Sequence, residues 1–479
     1  MIRRKQLAPP LYYAAQELPQ PSRASFYARL DAAVKDWERL AAPLRAAFCA
    51  GWGRPTDPVV YLKIFLVGYF ENITYDTDLA ERIEDSLAVR HFLGYTLLES
   101  TPDHSTISET RARLGACCEI AQVLEAAVAE CLAQGLVAGE EACVDSTLLP
   151  ANASLSSLKS LRTGKRVAEY FQEVRERNQT APEGTAPERL KVSNQEFRSA
   201  TDPQARLAQK RGTRRGLYYR GTHVTDGKKQ IILAAEVALA DRGEPEAAQQ
   251  PLRRARAVLE AHGQHLGTVV ADAGYDAADF HGFVEQDLQA KPLTNYVPDT
   301  TDKPEGFRKA SFVYDPQGDG YHCPAGAWLR RQQSREGGRE TVYAAAPGVC
   351  AECPHRRSCL GHARGRRIIV RHQHEGSRER NLARCHTQEG RAALRRRRHI
   401  VEPPFGHAKT YGGLGRLNCR GLGKVQVKIV LAAVAWNLIK LVKAVRPLAA
   451  RLRKPAVASA PSRHRRGPFP LRGSPHVAG

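Results

Sequence analysis

Two short runs of aliphatic and β-branched residues, each holding an aspartate, set the tightest limits on the fold of this chain. They are ACVDSTLLP, from Ala142 to Pro150, and LGTVVAD, from Leu266 to Asp272. Continuous apolar runs of this length, bounded by Pro or Gly, predict strands buried within a sheet. Between them, Leu217–Thr225 and Lys228–Leu239 flank the dipeptide Asp226-Gly227, a strand–turn–strand signal. A helix is expected over Pro251–Ala261, with Pro at its start and Gly263 past its end. Another is expected over 277–285, followed by a strand near Leu293–Val297. That order predicts one central sheet with helices on its faces.

Upstream the texture is helical. Phe26, Leu30, Val34, Trp37 and Leu40 recur at helical spacing, and further helices are expected over Pro58–Phe70, Asp78–Phe92 (closed by Gly94) and 116–134. Thr106 and Glu109 match a capping box for a short helix that carries Arg111 and Arg113. Residues 1–135 therefore read as an all-helical domain after a loose arm at 1–20. The pair 78–93 and 105–114 could enter a DNA groove, with Arg111 and Arg113 as its contacts. Residues 136–297 hold the first part of the α/β domain, with 151–215 read as a mobile basic insertion. A Cys-containing insert is expected over 298–374. The α/β domain resumes over 375–445, with Val425–Lys443 as a buried helix. The tail 446–479 carries eight Lys or Arg, no acid and many prolines, and is expected to be disordered.

Lys and Arg number 72 against 50 Asp and Glu, a formal charge of +22 that points to a polyanionic partner. The longest apolar run, Ile429–Ile439, is shorter than the ~20 residues a bilayer crossing needs, so no membrane partner is expected. The opening MIRRKQLAPP lacks the apolar core of a secretory signal, which points to the cytoplasm. Eleven cysteines in such a chain read as thiols or metal ligands rather than disulfides. Cys323, Cys350, Cys353 and Cys359 have spacing that could hold a structural zinc ion, with His355 and His362 as substitutes. Gly412-Gly413-Leu414-Gly415 is no phosphate loop, because no Gly-Lys pair is followed by Ser or Thr. No Gly-x-Ser-x-Gly elbow occurs.

An acid at the end of a buried strand is held rigidly where α/β sheets bind ligands. Asp145 and Asp272 occupy such places, and two neighbouring carboxylates repel unless a cation lies between them. Oxygen-only ligands favour Mg²⁺ or Mn²⁺. Glu402, before Pro403-Pro404, is the third candidate; two prolines predict a kink or a fresh helix start there. Arg398 and Lys409 share its face if the helix is unbroken. Asp241 and Glu244, after the hairpin, could approach such a site but read first as helix caps.

These segments resemble bacterial insertion-sequence transposases of the Asp-Asp-Glu (DDE) class. The resemblance is carried by PVVYLKIFLVGYFENITYDTDLAERI, PDHSTISETRARL, CVDSTLLPANAS, VVADAGYDA and RRRHIVEPPFGHAK. It implies an α/β ribonuclease H-like mixed sheet with helices on both faces, preceded by an all-α DNA-binding domain and interrupted by a Cys-rich insertion. It also implies that Asp145, Asp272 and Glu402 ligate metal, with two ions clamping a scissile phosphate. The family's Tyr-x₂-Arg-x₃-Glu-x₆-Lys signature falls on 395, 398, 402 and 409, with Arg395 in place of Tyr. Arg398 and Lys409 are then expected on DNA phosphates. The implied reaction hydrolyses a phosphodiester at an element end and joins the freed 3′-hydroxyl to target DNA. The partners would be double-stranded DNA and, at synapsis, a second or further copy of the chain on the nucleoid. The alternatives are a nuclease that cuts without joining and a DNA-binding descendant without catalysis.

Overall fold

The computed structural model describes residues 25–48, 57–116, 119–182, 186–188, 191–210, 212–296 and 307–451, with side chains as far as 445. The expected arm at 1–20 and nearly all of the expected tail lie outside these residues. Helices α1 (Phe26–Ala33), α2 (Trp37–Ala41), α3 (Pro58–Phe70), α4 (Asp76–Asp85), α5 (Leu87–Leu93), α6 (His104–Ala116) and α7 (Ile120–Ala133) come first. The single helix expected over 78–92 is two. Ser86 is extended, and its hydroxyl accepts the Val89 N–H to cap α5. The cap of α6 is Asp103, whose Oδ1 accepts the Thr106 N–H at 2.7 Å, rather than a Thr106–Glu109 box.

There follow β1 (Glu141–Pro150), β2 (Leu158–Ser160), α8 (Val167–Thr180), β3 (Phe197–Ser199) and β4 (Arg206–Ala208). Much of the segment expected to be a mobile insertion thus has regular structure. Its basic composition hid three anchors, Leu158, Val174 and Phe197, which are all buried. Next come β5 (Gly216–Asp226), β6 (Ile232–Leu239), α9 (Glu244–Glu260), β7 (Thr268–Ala271), α10 (Ala278–Gln286) and β8 (Lys291–Thr294). The main sheet runs β6-β5-β1-β7-β8, with β4 sharing the outer edge of β5. β1, β7 and β8 are parallel, β5 is antiparallel to β1, and β6 is antiparallel to β5. The β5–β6 turn is longer than the two residues expected. Asp226 spends its carboxylate on the N–H groups of Ala138, Gly139 and Lys228, and Gln230 takes the left-handed conformation at φ 60°.

A second sheet, β13-β12-β11-β10-β9, is antiparallel throughout. It comprises β9 (Val313–Asp315), β10 (Gly320–His322), β11 (Trp328–Arg335), β12 (Glu340–Ala345) and β13 (Ile368–His372), with α11 (Arg356–Leu360) before the last strand. It has its own small core of Phe312, Tyr321, Leu329, Tyr343 and Ile369. The last described elements are α12 (Glu375–His386), α13 (Gln388–Thr410) and α14 (Leu422–Arg451).

α14 is the axle of the molecule. By length and composition it could cross a bilayer, but 83% of its apolar window is buried inside the fold. It packs on α1, α3, α6 and α7 and also on β6 and α13, so the N-terminal helices and the main sheet share one core. Its few polar residues seal the sheet edge. Asn437 brackets Ile232, accepting its N–H and donating to its carbonyl, each at 2.8 Å. Gln426 does the same for Val237 and Ala235. An edge strand so paired offers little to a foreign strand. At the opposite edge, Asn381 of α12 accepts the Thr294 N–H and donates to its carbonyl.

Pro403 and Pro404 lie inside α13, which runs unbroken from Gln388 to Thr410, so no new helix starts there. Pro403 cannot donate to the carbonyl of His399 four residues back. Gln230 Nε2 donates to that oxygen instead, at 2.7 Å.

Candidate active site

β1 and β7 are paired with Glu141, Ala142 and Cys143 beside Thr268, Val269 and Val270. Two residues further in that register, Asp145 comes beside Asp272, on strands ~4.8 Å apart and pointing to one face. His223 of β5 stands directly across from Asp145 on its other side. That face carries Cys143 and Val270, against which Ala393, Ile400 and Val401 of α13 pack. The helix therefore lies over the row His223, Asp145, Asp272.

Asp145 is the most perturbed acid of the row. Burial pushes its carboxyl up to about 6; Arg397 and Lys210 oppose that rise, and Asp272 adds to it. Arg397 Nη1 is 3.6 Å from Asp145 Oδ1, too far for a hydrogen bond. Asp272 Oδ1 accepts the Gly274 N–H at 2.9 Å, and its extended backbone caps the turn Ala273–Tyr275. A Cβ on Gly274 would sit 2.5 Å from Glu244 Oε2 and 3.0 Å from Asp272 Oδ1. The glycine is what lets two carboxylates close over the backbone. Glu244, expected as a cap, is the first residue of α9, and its Oε1 accepts from Arg220 at 2.9 Å and Lys210 at 3.2 Å. Beneath them Tyr275 is fully buried and shares a hydrogen bond with Ser146, which in turn meets Thr222. Burial first, then Asp145, Glu244 and Asp272, hold that phenol protonated.

Lys409 reaches the same face. Its Nζ donates to Thr147 Oγ1 at 2.5 Å, two residues beyond Asp145. Burial and Lys210 lower its pKa, and Asp145 opposes them. Glu402 lies on α13 between Arg397, which faces Asp145, and Lys409. Its carboxylate is 62% exposed and paired with exposed Arg398 at 3.2 Å, a contact worth little in water. The structure thus sets the two aspartates side by side and puts Glu402 on the covering helix, turned toward solvent. Among the described residues no three His, Cys, Asp or Glu side chains form a group that could hold an ion.

The remaining candidates separate. Arg111 does not face outward: its guanidinium pairs with Asp76 at 2.5 Å and lies 4.6 Å from the Phe65 ring, tying α6 to α4. Its side chain is only 13% exposed, which removes it as a DNA contact in this arrangement. Arg113 is exposed. Cys323, Cys350, Cys353 and Cys359 line one cavity beside the second sheet as free thiols. Cys323 Sγ accepts the Ala327 N–H at 3.3 Å, and Cys350 Sγ accepts that of Arg367 at 3.5 Å. Cys117 and Cys118 lie outside the described residues.

Arg397, Lys210 and Arg220 were not singled out by the sequence. A signal existed for Arg397. It lies four residues after Ala393 and four before Val401, both buried, so it is the member of the arginine run that must face the sheet. Nothing comparable marks Lys210 or Arg220, whose roles depend on how β4 and β5 are joined.

Residues 322–442 match the family described as a transposase DDE domain, and residues 15–113 match a transposase domain (DUF772). The first match includes Glu402 and its helix; Asp145 and Asp272 lie outside both. No curated protein matches the chain significantly. Among solved structures, the chain is similar to a piggyBac transposase in a synaptic complex with hairpin DNA. The TM-score is 0.36 at 10% identity, over 90% of this chain and 82% of that one. Transposase families are thus matched by two separate segments of the chain, and in the structure those segments meet through helix α14.

Proposed function

We propose that Asp145, Asp272 and Glu402 are the metal-holding acids of a ribonuclease H-like catalytic unit that cleaves element ends and joins them to target DNA. The observation that carries this reading is the register of β1 and β7, which makes Asp145 and Asp272 neighbours although 126 residues separate them in sequence. Two neighbouring half-buried carboxylates, of which Asp145 is raised by burial and by Asp272, faced by a guanidinium outside hydrogen-bond distance, are a donor set suited to a hard divalent cation such as Mg²⁺ or Mn²⁺. Such an ion, when bound, polarises the phosphodiester and makes the attacking hydroxyl more acidic.

The chain's own groups supply the rest. Lys409 projects along β1 beside Thr147 and would hold a phosphate of the scissile strand, while exposed Arg398 would contact the backbone further out. Arg397 neutralises Asp145 until a cation does. Glu402 would reach the aspartates by exchanging its surface partner Arg398 for the metal. The N-terminal helices would add DNA contacts through Arg113, and pairing of two element ends would require a second copy of the chain. The zinc reading of Cys323, Cys350, Cys353 and Cys359 rests on four free thiols that line one cavity and would have to draw together to hold an ion; purified protein free of zinc would overturn it. The mixed sheet and the Cys-bearing second sheet inserted after β8 support the ribonuclease H-like reading.

The test uses duplex DNA flanking this gene and supercoiled plasmid, in Mg²⁺. Wild-type protein should cleave the end and give joined product, and D145A, D272A and E402A should each do neither. Cleavage without joining would favour the nuclease, and full cleavage by D145A would refute the site.

A further inference from the structure

Beyond the C-terminal end of β1 the surface opens into a groove of about 690 Å³. Its walls come from segments far apart in sequence. One is the chain leaving β1, with Asn152, Ser154, Ser156 and Ser157; another is the pair Lys159 and Arg166, whose backbones bridge. The last is the connection between α13 and α14, with Arg416 and Arg420. Arg420 Nε donates to the Asn152 carbonyl at 3.0 Å, joining the walls at one end. The Gly421 and Leu422 N–H groups, held by Asp202 and Gln204, fix the same connection from below. All four cations are exposed, and among the described residues no acidic side chain lines the groove.

We infer that this groove holds the phosphate backbone of duplex DNA about six base pairs from the phosphate that is cut. The inference rests on the transposase reading of the Asp145–Asp272 site and adds to it where the DNA lies beyond that site. Three features argue for this occupant. Arg and Lys beside Ser and Asn side chains are the groups that contact phosphate and sugar, and they carry no base preference. The groove continues the strand that bears Asp145. From Asp145 to Ala151, at ~3.3 Å for each strand residue, is about 20 Å, which is about six base pairs at 3.4 Å each. Finally, Lys409 lies between the two places, at Thr147, so the cations form a path along β1 from the aspartates to the groove. An acidic protein segment would need the charge but not the distance.

The experiment measures binding of wild type and of K159Q/R166Q/R416Q/R420Q to duplexes carrying the element end, across a range of salt. Each phosphate contact adds ~0.9 to the slope of log affinity against log salt. The quadruple variant should therefore lose about 3.6 from that slope and bind at least tenfold more weakly, and each single variant should lose about 0.9. Both differences should vanish when the duplex is cut back to fewer than about six base pairs on one side of the cleavage point, and persist when it is shortened on the other. Wild-type affinity and slope in the quadruple variant would overturn the inference, as would a loss that ignores duplex length. Wild-type protein that neither binds nor cleaves end-containing DNA would instead overturn the transposase reading of the site. Because each single variant changes one exposed side chain, unchanged melting of the singles separates lost contacts from lost fold.

Discussion

Replacing Asp145 by Asn should make the metal-free protein more stable while abolishing cleavage. The carboxyl titrates at about 6 in the fold against an ordinary 3.8, chiefly because it is buried beside Asp272. Between those values the folded chain binds the proton that the unfolded chain has released. Stability therefore falls as pH rises through that window, and the whole penalty is present above about pH 6. At ~1.4 kcal/mol for each pKa unit, the penalty at pH 7.5 is about 3 kcal/mol. Asn keeps the shape and removes the charge, so D145N should recover about 1–3 kcal/mol, or several degrees of melting temperature. The assay is thermal unfolding in EDTA at pH 7.5 and again near pH 3.8. The variant should melt higher at the first and level with wild type at the second. Added Mg²⁺ should raise wild type and not the variant. A variant that melts at or below wild type at pH 7.5, or a gap that survives acid, would refute the argument that burial of this acid outweighs the nearby cations.

Two more substitutions probe the surroundings. Lys428 is 4% exposed, and burial, reinforced by nearby Arg111, lowers its pKa from 10.5 to about 8. The unfolded chain binds that proton more tightly, so stability should rise with pH between about 8 and 10.5; K428M should melt higher than wild type at pH 7 by about 1–3 kcal/mol, with the gap closing by pH 10.5, and an unchanged melt at pH 7 would count against it. G274A would push a methyl between Glu244 and Asp272, costing about 1–3 kcal/mol and most of the end cleavage in Mg²⁺; full cleavage would show that these acids need not approach.

The strands that carry the site were legible because their burial is written in continuous apolar runs, as at Val144 and at Val269-Val270. The pairing of β1 with β7 was not, since a parallel neighbour is chosen by packing across the whole sheet. The reading of 151–215 as mobile failed because composition averages over a segment, while order there depends on a few residues such as Val174 and Phe197. Pro403 misled for a related reason. Its cost in a helix is an unsatisfied carbonyl, and a side chain 169 residues away, that of Gln230, provides the missing donor. Pro251 within α9 is the same lesson: Pro245 fills the first turn, and the buried face of Ala248, Leu252 and Ala255 carries the helix through.

The three acids are held by two different kinds of structure. Asp145 is fixed within a hydrogen-bonded ladder, and Asp272 lies one residue past the end of that ladder's β7 strand, where a slip of one residue would turn every side chain on a strand to the opposite face. Glu402 depends on how α13 lies on that ladder, and its fastenings fall on both sides of it. Before it, Arg396 pairs with Glu141 at 2.8 Å and the His399 carbonyl meets Gln230. After it, Phe405 stacks flat on His223, with centroids 4.0 Å apart and planes 3° apart. Burial pushes His223 down to about 3, so the ring is neutral and the stack is apolar at working pH. Those contacts set where the helix crosses the aspartates without using Glu402 itself, which leaves that side chain on the surface and free to turn. The pair of aspartates is therefore brought together by folding, and the proposed role of Glu402 as third acid would require a side-chain movement driven by the cation and the DNA.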